Sequence, residues 1–376
     1  MPYKLLLSEE ISPAIRRIGL EQLMRVRREL SSTQNIQAGV HKSRTYLKRF
    51  RSLLRLARPL LGEDVFLKEN KKHRDIARAL SRPRETGALL ETIKKLKSRE
   101  DFGAFKSLIL ELQSIIEKQK RATEDDLEIL SLTKLLEKTD KSIARWNSLE
   151  LETATFETLA HGFALTYDRG RESLMTAIER DNNFYLHEWR KDVQQTWRQM
   201  QMLTLIWPDD IMPRIKLARE VSRLLGTEND LFELERFMKL NKKRLKKNPE
   251  LKALYKPFRS TLRTIRRDLS LHALERGRRL YAFEAEAIAD ALNVYWKTSR
   301  ALQPMPTIVL ELTEIEKTPA SKQSSTPTPA EKDTKPKLSA LERMRAAKAA
   351  QKGGLAPLKD VSPEASDDQT PKKKEG

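Results

Sequence analysis

Apolar residues recur at intervals of three and four through roughly the first 300 positions, and no stretch alternates apolar with polar as a strand does. The pattern predicts about eight to ten helices and an all-α fold. Val40 to Leu61, VHKSRTYLKRFRSLLRLARPLL, shows it best. At 100° per residue, Tyr46, Leu47, Phe50, Leu53, Leu54 and Ala57 fall about 120–240° from His41 and form one apolar face. Pro59 is expected to end this helix. A second amphipathic helix, LHEWRKDVQQTWRQMQMLTLIWP, is expected to stop at Pro208. Its Trp189, Met200 and Leu203 read as core. Periodicity weakens at Lys97–Gly103, and a breakpoint is expected near Lys138–Ser148.

The opposite face of the first helix changes the picture. His41, Arg44, Lys48, Arg51 and Arg55 crowd into an arc of about 80°. No Asp or Glu follows any of them at i+3 or i+4. Like charges at that spacing cost about 0.2–0.5 kcal/mol per pair. The plainest alternative is a solvated surface, but such surfaces usually mix signs. A bound polyanion would offset the repulsion.

Elements of this face repeat. His41-x-x-Arg44 returns as His187-x-x-Arg190, 146 residues later. Lys71, Arg74 and Arg78 in KKHRDIARALSRPRE match Lys216, Arg219 and Arg223 in KLAREVSRLLGTEND at an offset of 145. Both triplets lie on one narrow helix face. Arg84-Glu85 then corresponds to Asn229-Asp230, each read as a short polar turn after a helix. Glu85 and Asp230 serve there as capping or salt-bridging partners. Two similar halves, about 1–145 and 146–310, are expected, paired by a pseudo-twofold axis with their basic stripes facing a central groove. In the second half Arg190, Lys191 and Arg198 stay near the meridian of His187. Gln194 and Trp197 stand where Lys48 and Arg51 stand, so this side of the groove should be less positive.

Composition narrows the chemistry. The chain has 376 residues, a net charge of +20 and no cysteine. Disulfides, thiolate catalysis and cysteine–metal sites are excluded. From Lys317 on, Pro, Ser, Thr, Lys and Glu dominate, which predicts a disordered tail over 311–376. LSALERMRAAKAAQKGG within it could form one short helix ending at Gly353. Most of the positive excess precedes the tail. Neither a secretory leader nor a run long enough to span a membrane is present, so a cytoplasmic protein with no membrane partner is expected. The histidines are His41, His73, His161, His187 and His272. None has a close histidine mate, so no metal is expected; His73 and His272 read as surface residues. With no phosphate-binding glycine loop and no cluster of carboxylates, neither catalysis nor a cofactor is expected.

HKSRTYLKRFRSLLRLARPLL resembles the signature of the CHAD domain, the conserved histidine α-helical domain. YDRGRESLMTA (Tyr167 to Ala177), LHEWRK and LLGTEND resemble that family's second-half motifs. The likeness runs from about Leu5 to Leu302 in motif order. It implies two four-helix bundles related by a pseudo-twofold axis, forming a domain over 1–310. It also implies non-catalytic binding of inorganic polyphosphate in the groove between them, and association with polyphosphate granules. Carried over by position, the implied contacts are His41, Arg44, Lys48, Arg51 and Arg55, with Arg169, Arg171, His187, Arg190 and Lys191. The repeat adds Lys71, Arg74, Arg78, Arg198, Lys216, Arg219 and Arg223. Gln194 and Trp197 depart from the family's usual basic residues. Family members often carry a triphosphate-tunnel domain ahead of this one, and none is expected here. Other polyanions are candidate secondary partners. Two alternatives remain open: a protein binding the nucleic-acid backbone, and a granule scaffold that recruits proteins through its tail. Base recognition would want aromatics interleaved with the cations, and the first stripe has none.

Overall fold

A computed structural model describes residues 3–32, 35–80, 84–123 and 129–302. Every regular element among them is helical. In order these are α1 (Ile11–Ser31), α2 (Ile36–Leu56), α3 (Arg58–Leu61), α4 (Glu63–Ala79) and α5 (Arg84–Lys97). A 3-10 turn at Glu100–Phe105 leads into α6 (Lys106–Thr123) and α7 (Ile129–Ser148). Then come α8 (Phe156–Arg180), α9 (Asn183–Leu203), α10 (Pro208–Leu240), α11 (Lys242–Leu245), α12 (Pro249–Leu280) and α13 (Ala285–Ala301). The expected tail and its short helix lie outside the described residues, as does the side chain of Glu85.

The helix ends follow local chemistry. Asn35 caps α2, its Oδ1 accepting from Ala38 N at 2.9 Å. Asn182 does the same for α9, accepting from Phe184 N at 3.0 Å and Tyr185 N at 3.4 Å. The two prolines act differently from expectation. The helix α2 stops at Leu56, and Pro59 sits in the first turn of α3. Likewise α9 stops at Leu203, and Pro208 opens α10. A proline lacks the N–H that a first turn leaves unused, so it starts these helices rather than ending the ones before.

Two other breaks also move. Periodicity does lapse at the 3-10 turn, but α7 runs unbroken to Ser148, and the chain leaves helix only at residues 149–155. The buried face of α7 carries Leu135, Thr139, Ser142 and Trp146. Thr139 Oγ1 donates back to the Leu135 carbonyl at 2.8 Å and Ser142 Oγ to Lys138 at 2.9 Å, which lets small polar groups occupy core positions. The turn expected at Asn229-Asp230 does not form either, because α10 continues straight through both residues to Leu240. Glu228 and Glu235, buried on the face that meets α12, take hydrogen bonds from Arg266 and hold that stretch helical.

The largest apolar cluster is shared by both sequence halves. It joins Ile15, Ile18, Leu53, Leu54 and Trp146 to Phe163, Tyr167, Trp189, Met202 and Val221. Each large side chain buried here contributes about 1.5–3 kcal/mol. A second cluster sets Leu108, Leu112 and Ile116 of α6 against Leu234, Met238 and Phe258 of α10 and α12. The α5–α6 hairpin of the first half thus packs on helices of the second. A third cluster, with Val26, Leu47, Ile76 and Leu135, closes α1, α2, α4 and α7.

Candidate functional site

The helices α2 and α9, which carry the two His-x-x-Arg motifs, cross at Ser52. Gln199 Nε2 donates to the Ser52 carbonyl at 3.3 Å, and Ser52 Oγ donates to the Gln195 carbonyl at 3.4 Å. Both side chains are buried. The crossing brings cations from α2, α4, α8 and α9 into mutual range. Burial depresses the guanidinium of Arg55 to about 10, and repulsion from Arg51, Arg169 and Arg198 adds to the effect while Asp192 opposes it. Arg198 is likewise pushed down to about 10 by burial, with Arg49, Arg190 and Arg51 repelling it and Tyr3 opposing. Arg51 is lowered by burial and then by Arg74. Seven arginines therefore share one electrostatic neighbourhood.

Several are held by hydrogen bonds or packing, some from a neighbouring helix and some from their own. Arg51 Nε donates to Asn70 Oδ1 of α4 at 2.9 Å, and Arg55 Nη1 donates to the Arg51 carbonyl at 3.1 Å. Arg44 Nη1 donates to the Ala77 carbonyl at 2.9 Å, tying α2 to the end of α4. Arg190 lies flat against α10 at Gly226, where a β-carbon would come within 3.2 Å of its Nη2. Arg169 pairs with Asp192 at 3.2 Å. Arg198 Nη1 donates to the Gln194 carbonyl at 2.9 Å, and its guanidinium stacks 4.7 Å from the Trp197 ring centroid. The Trp197 ring also receives Arg219 of α10 at 5.1 Å.

The other expected contacts have different surroundings. Arg171 is paired with Glu284 at the start of α13. It lies about 200° around α8 from Arg169, so the two arginines of Tyr-x-Arg-Gly-Arg do not share a face. Lys191 pairs with Glu188. His41, Lys71, Arg78, Lys216 and Arg223 are exposed, and Lys48 is half-buried. Half-buried His187 donates from Nδ1 to Asn229 Oδ1 at 3.1 Å, and burial followed by the charges of Lys191 and Arg190 lowers its pKa. His73 is a correction: it is fully buried, not on the surface, while His272 is exposed as expected. It donates from Nδ1 to the Glu69 carbonyl at 2.7 Å and packs 4.5 Å from Phe50.

Sequence reasoning missed Arg49, Tyr3 and Asp192. Arg49 lies outside the polar arc of α2, yet the crossing brings it beside Arg198. Its guanidinium sits 5.2 Å from the Tyr3 ring, whose hydroxyl donates to the Arg49 carbonyl at 3.3 Å. Asp192 was hidden among cations, although its place on α9 opposite Arg169 makes it the principal acid of the cluster. Among the described residues no group of three or more His, Cys, Asp or Glu could hold a metal ion, and no helix is long and apolar enough to cross a membrane. An apolar cavity lined by Phe163, Leu203, Ile211 and Leu292 contains none of the clustered arginines.

A family model described as the CHAD domain matches residues 18–239, more than half of the chain. The crystal structure of the CHAD domain from the plant Ricinus communis is similar at 18% identity, with a TM-score of 0.43, over 78% of this chain and 93% of that one. No curated protein matches.

Proposed function

The chain belongs to the CHAD domain family, and from that premise we propose that it binds inorganic polyphosphate without turning it over. The binding surface in this reading is a groove lined by the arginine cluster at the α2–α9 crossing, extended by His41, Arg44, Lys48 and His187 along the two helices. Arg219 flanks it. Under the same reading the protein acts at polyphosphate granules in the cytoplasm.

One observation carries the proposal. Buried Arg198 and half-buried Arg51 and Arg55 repel one another, and Asp192 is the carboxylate that chiefly opposes that repulsion at Arg55. Buried like charges are costly unless a counter-charge joins them. A phosphate chain supplies that charge in repeated units and has no base edges, so recognition reduces to charge and spacing. Planar guanidinium forks suit it because they grip phosphate oxygens in pairs. Each phosphate neutralised also releases a condensed counterion, by analogy with nucleic acids.

The test is a titration with long-chain polyphosphate at several salt concentrations. Log affinity is expected to fall linearly with log salt. Arg51→Glu combined with Arg74→Glu is expected to abolish retention while circular dichroism stays helical. Removal of residues 317–376 should change affinity by no more than a few-fold. Polyphosphate should displace RNA at equal phosphate concentration. Affinity indifferent to salt, or untouched by the double variant, would overturn the reading.

A further inference from the structure

The two halves of the cluster differ at one place in kind. In the repeat register Trp197 stands where Arg51 stands, and Gln194 stands where Lys48 stands. The partner position on the next helix keeps its charge, Arg219 matching Arg74. In the first half Arg51 and Arg74 repel each other. In the second half Arg219 lies over the indole instead, 5.1 Å from its centroid. A purely phosphate-reading surface gains nothing from exchanging two cations for an aromatic ring and an amide.

The details suit a different ligand group. Trp197 is partly buried, with part of its ring against the core. Arg198 is buried beside it and fixed by Gln194, whose carbonyl and Oε1 accept at 2.9 Å and 3.2 Å. Arg219 is exposed and makes no ion pair among the described residues. It is the movable member: an incoming flat ring can take its place on the indole or slip beneath its guanidinium. Nucleobases stack on tryptophan and on guanidinium planes. Gln194 Nε2 makes no hydrogen bond among the described residues and can donate to a base edge.

We propose that Trp197, Arg219 and Gln194 form a nucleobase-stacking subsite at the second-half end of the arginine cluster, and that its ligand class is purine nucleoside triphosphates. The base stacks on Trp197, and the triphosphate extends toward Arg198 and Arg55. This rests on the reading that the cluster takes phosphate chains, but it adds a ring that inorganic polyphosphate lacks.

The experiment compares ATP, UTP and inorganic tripolyphosphate by calorimetry, without divalent cations, alongside long-chain polyphosphate. ATP is expected to bind about tenfold more tightly than tripolyphosphate, within the range one base–aromatic stack supplies, with UTP between them. In Trp197→Ala that preference disappears while tripolyphosphate affinity is retained. Trp197→Phe, which keeps a ring and tests folding, retains part of the preference. Trp197→Arg, which restores the first-half residue type, strengthens tripolyphosphate and abolishes the preference for ATP. Equal binding of ATP and tripolyphosphate to the unaltered protein, or a preference that survives Trp197→Ala, would overturn the proposal. Tight long-chain binding with no preference for ATP defeats the subsite alone. A preference for ATP without long-chain binding defeats the polyphosphate reading and leaves the subsite standing.

Discussion

Gln199 Nε2 reaches two acceptors at once, the carbonyl of Ser52 at 3.3 Å and Thr166 Oγ1 at 2.9 Å. One amide thereby joins α9 to both α2 and α8 inside the shared core. Replacing Gln199 with Ala removes the cross-helix bond from both acceptors and opens a void. The expected cost is about 1–3 kcal/mol, measured as a fall in the urea midpoint. Because the same contact sets the spacing of Arg51, Arg55 and Arg198, polyphosphate affinity should fall as well. A variant that loses neither stability nor affinity would show that the crossing is held by other means.

Buried His73 gives stability a pH dependence. Burial is the main cause that pushes its pKa down to about 4, against about 6.5 in the unfolded chain. Between these values the unfolded chain holds a proton that the folded chain refuses. The contribution is therefore intact above about pH 6.5 and is lost as pH falls toward 4, on the order of 3 kcal/mol in full. Glu69 acts lower: although burial opposes it, hydrogen bonds from Lys72 and Arg145 hold it below its ordinary value of 4.5. Urea midpoints at pH 7 and pH 5 should diverge more in the unaltered protein than in His73→Gln. Equal divergence in both would assign the effect to another group.

The helical class and the stripe of α2 were legible because period and charge run together there from His41 to Arg55. The two motif helices share one local device, an asparagine cap, at Asn35 for α2 and Asn182 for α9. What resisted reading was local sequence overruled by packing. The LGTEND stretch has turn-forming residues, but Gly226 is there to admit Arg190, and Glu228 is held from α12. Polar Thr139 and Ser142 masked the core face of α7. His73 could have been placed, since Phe66, Glu69, His73 and Ile76 share one buried face of α4. Arg49 could not, because its partner Arg198 is set by a crossing angle that no single helix encodes.

Gly162 of α8 faces the end of α2. A β-carbon there would sit 1.9 Å from the Leu56 carbonyl oxygen, inside any contact distance. Alanine in a helix interior ordinarily gains about 1 kcal/mol over glycine. Here the obstruction is backbone, so the helices must separate, and Gly162→Ala should destabilise by about 1–3 kcal/mol instead. A thermal midpoint that rises in this variant would mean that α8 can shift freely against α2.

The arginine cluster should show a conflict between stability and binding. Arg55 carries its charge at the cost of desolvation and of repulsion from Arg51, Arg169 and Arg198, relieved in part by Asp192. Arg55→Met keeps most of the side-chain volume and removes that charge. The ligand-free protein is then expected to melt a few degrees higher, as removal of a strained functional charge commonly allows. Polyphosphate binding should weaken by about ten- to a hundredfold, since one charge-assisted contact is worth about 1.5–3 kcal/mol. Added polyphosphate should therefore raise the melting temperature of the unaltered protein more than that of the variant, because a ligand stabilises in proportion to its affinity for the folded state. Thermal melts of both proteins with and without polyphosphate separate the two effects. If Arg55→Met melts lower and binds as before, Arg55 is a packing residue in a helix junction, and the repulsion around it is balanced within the fold.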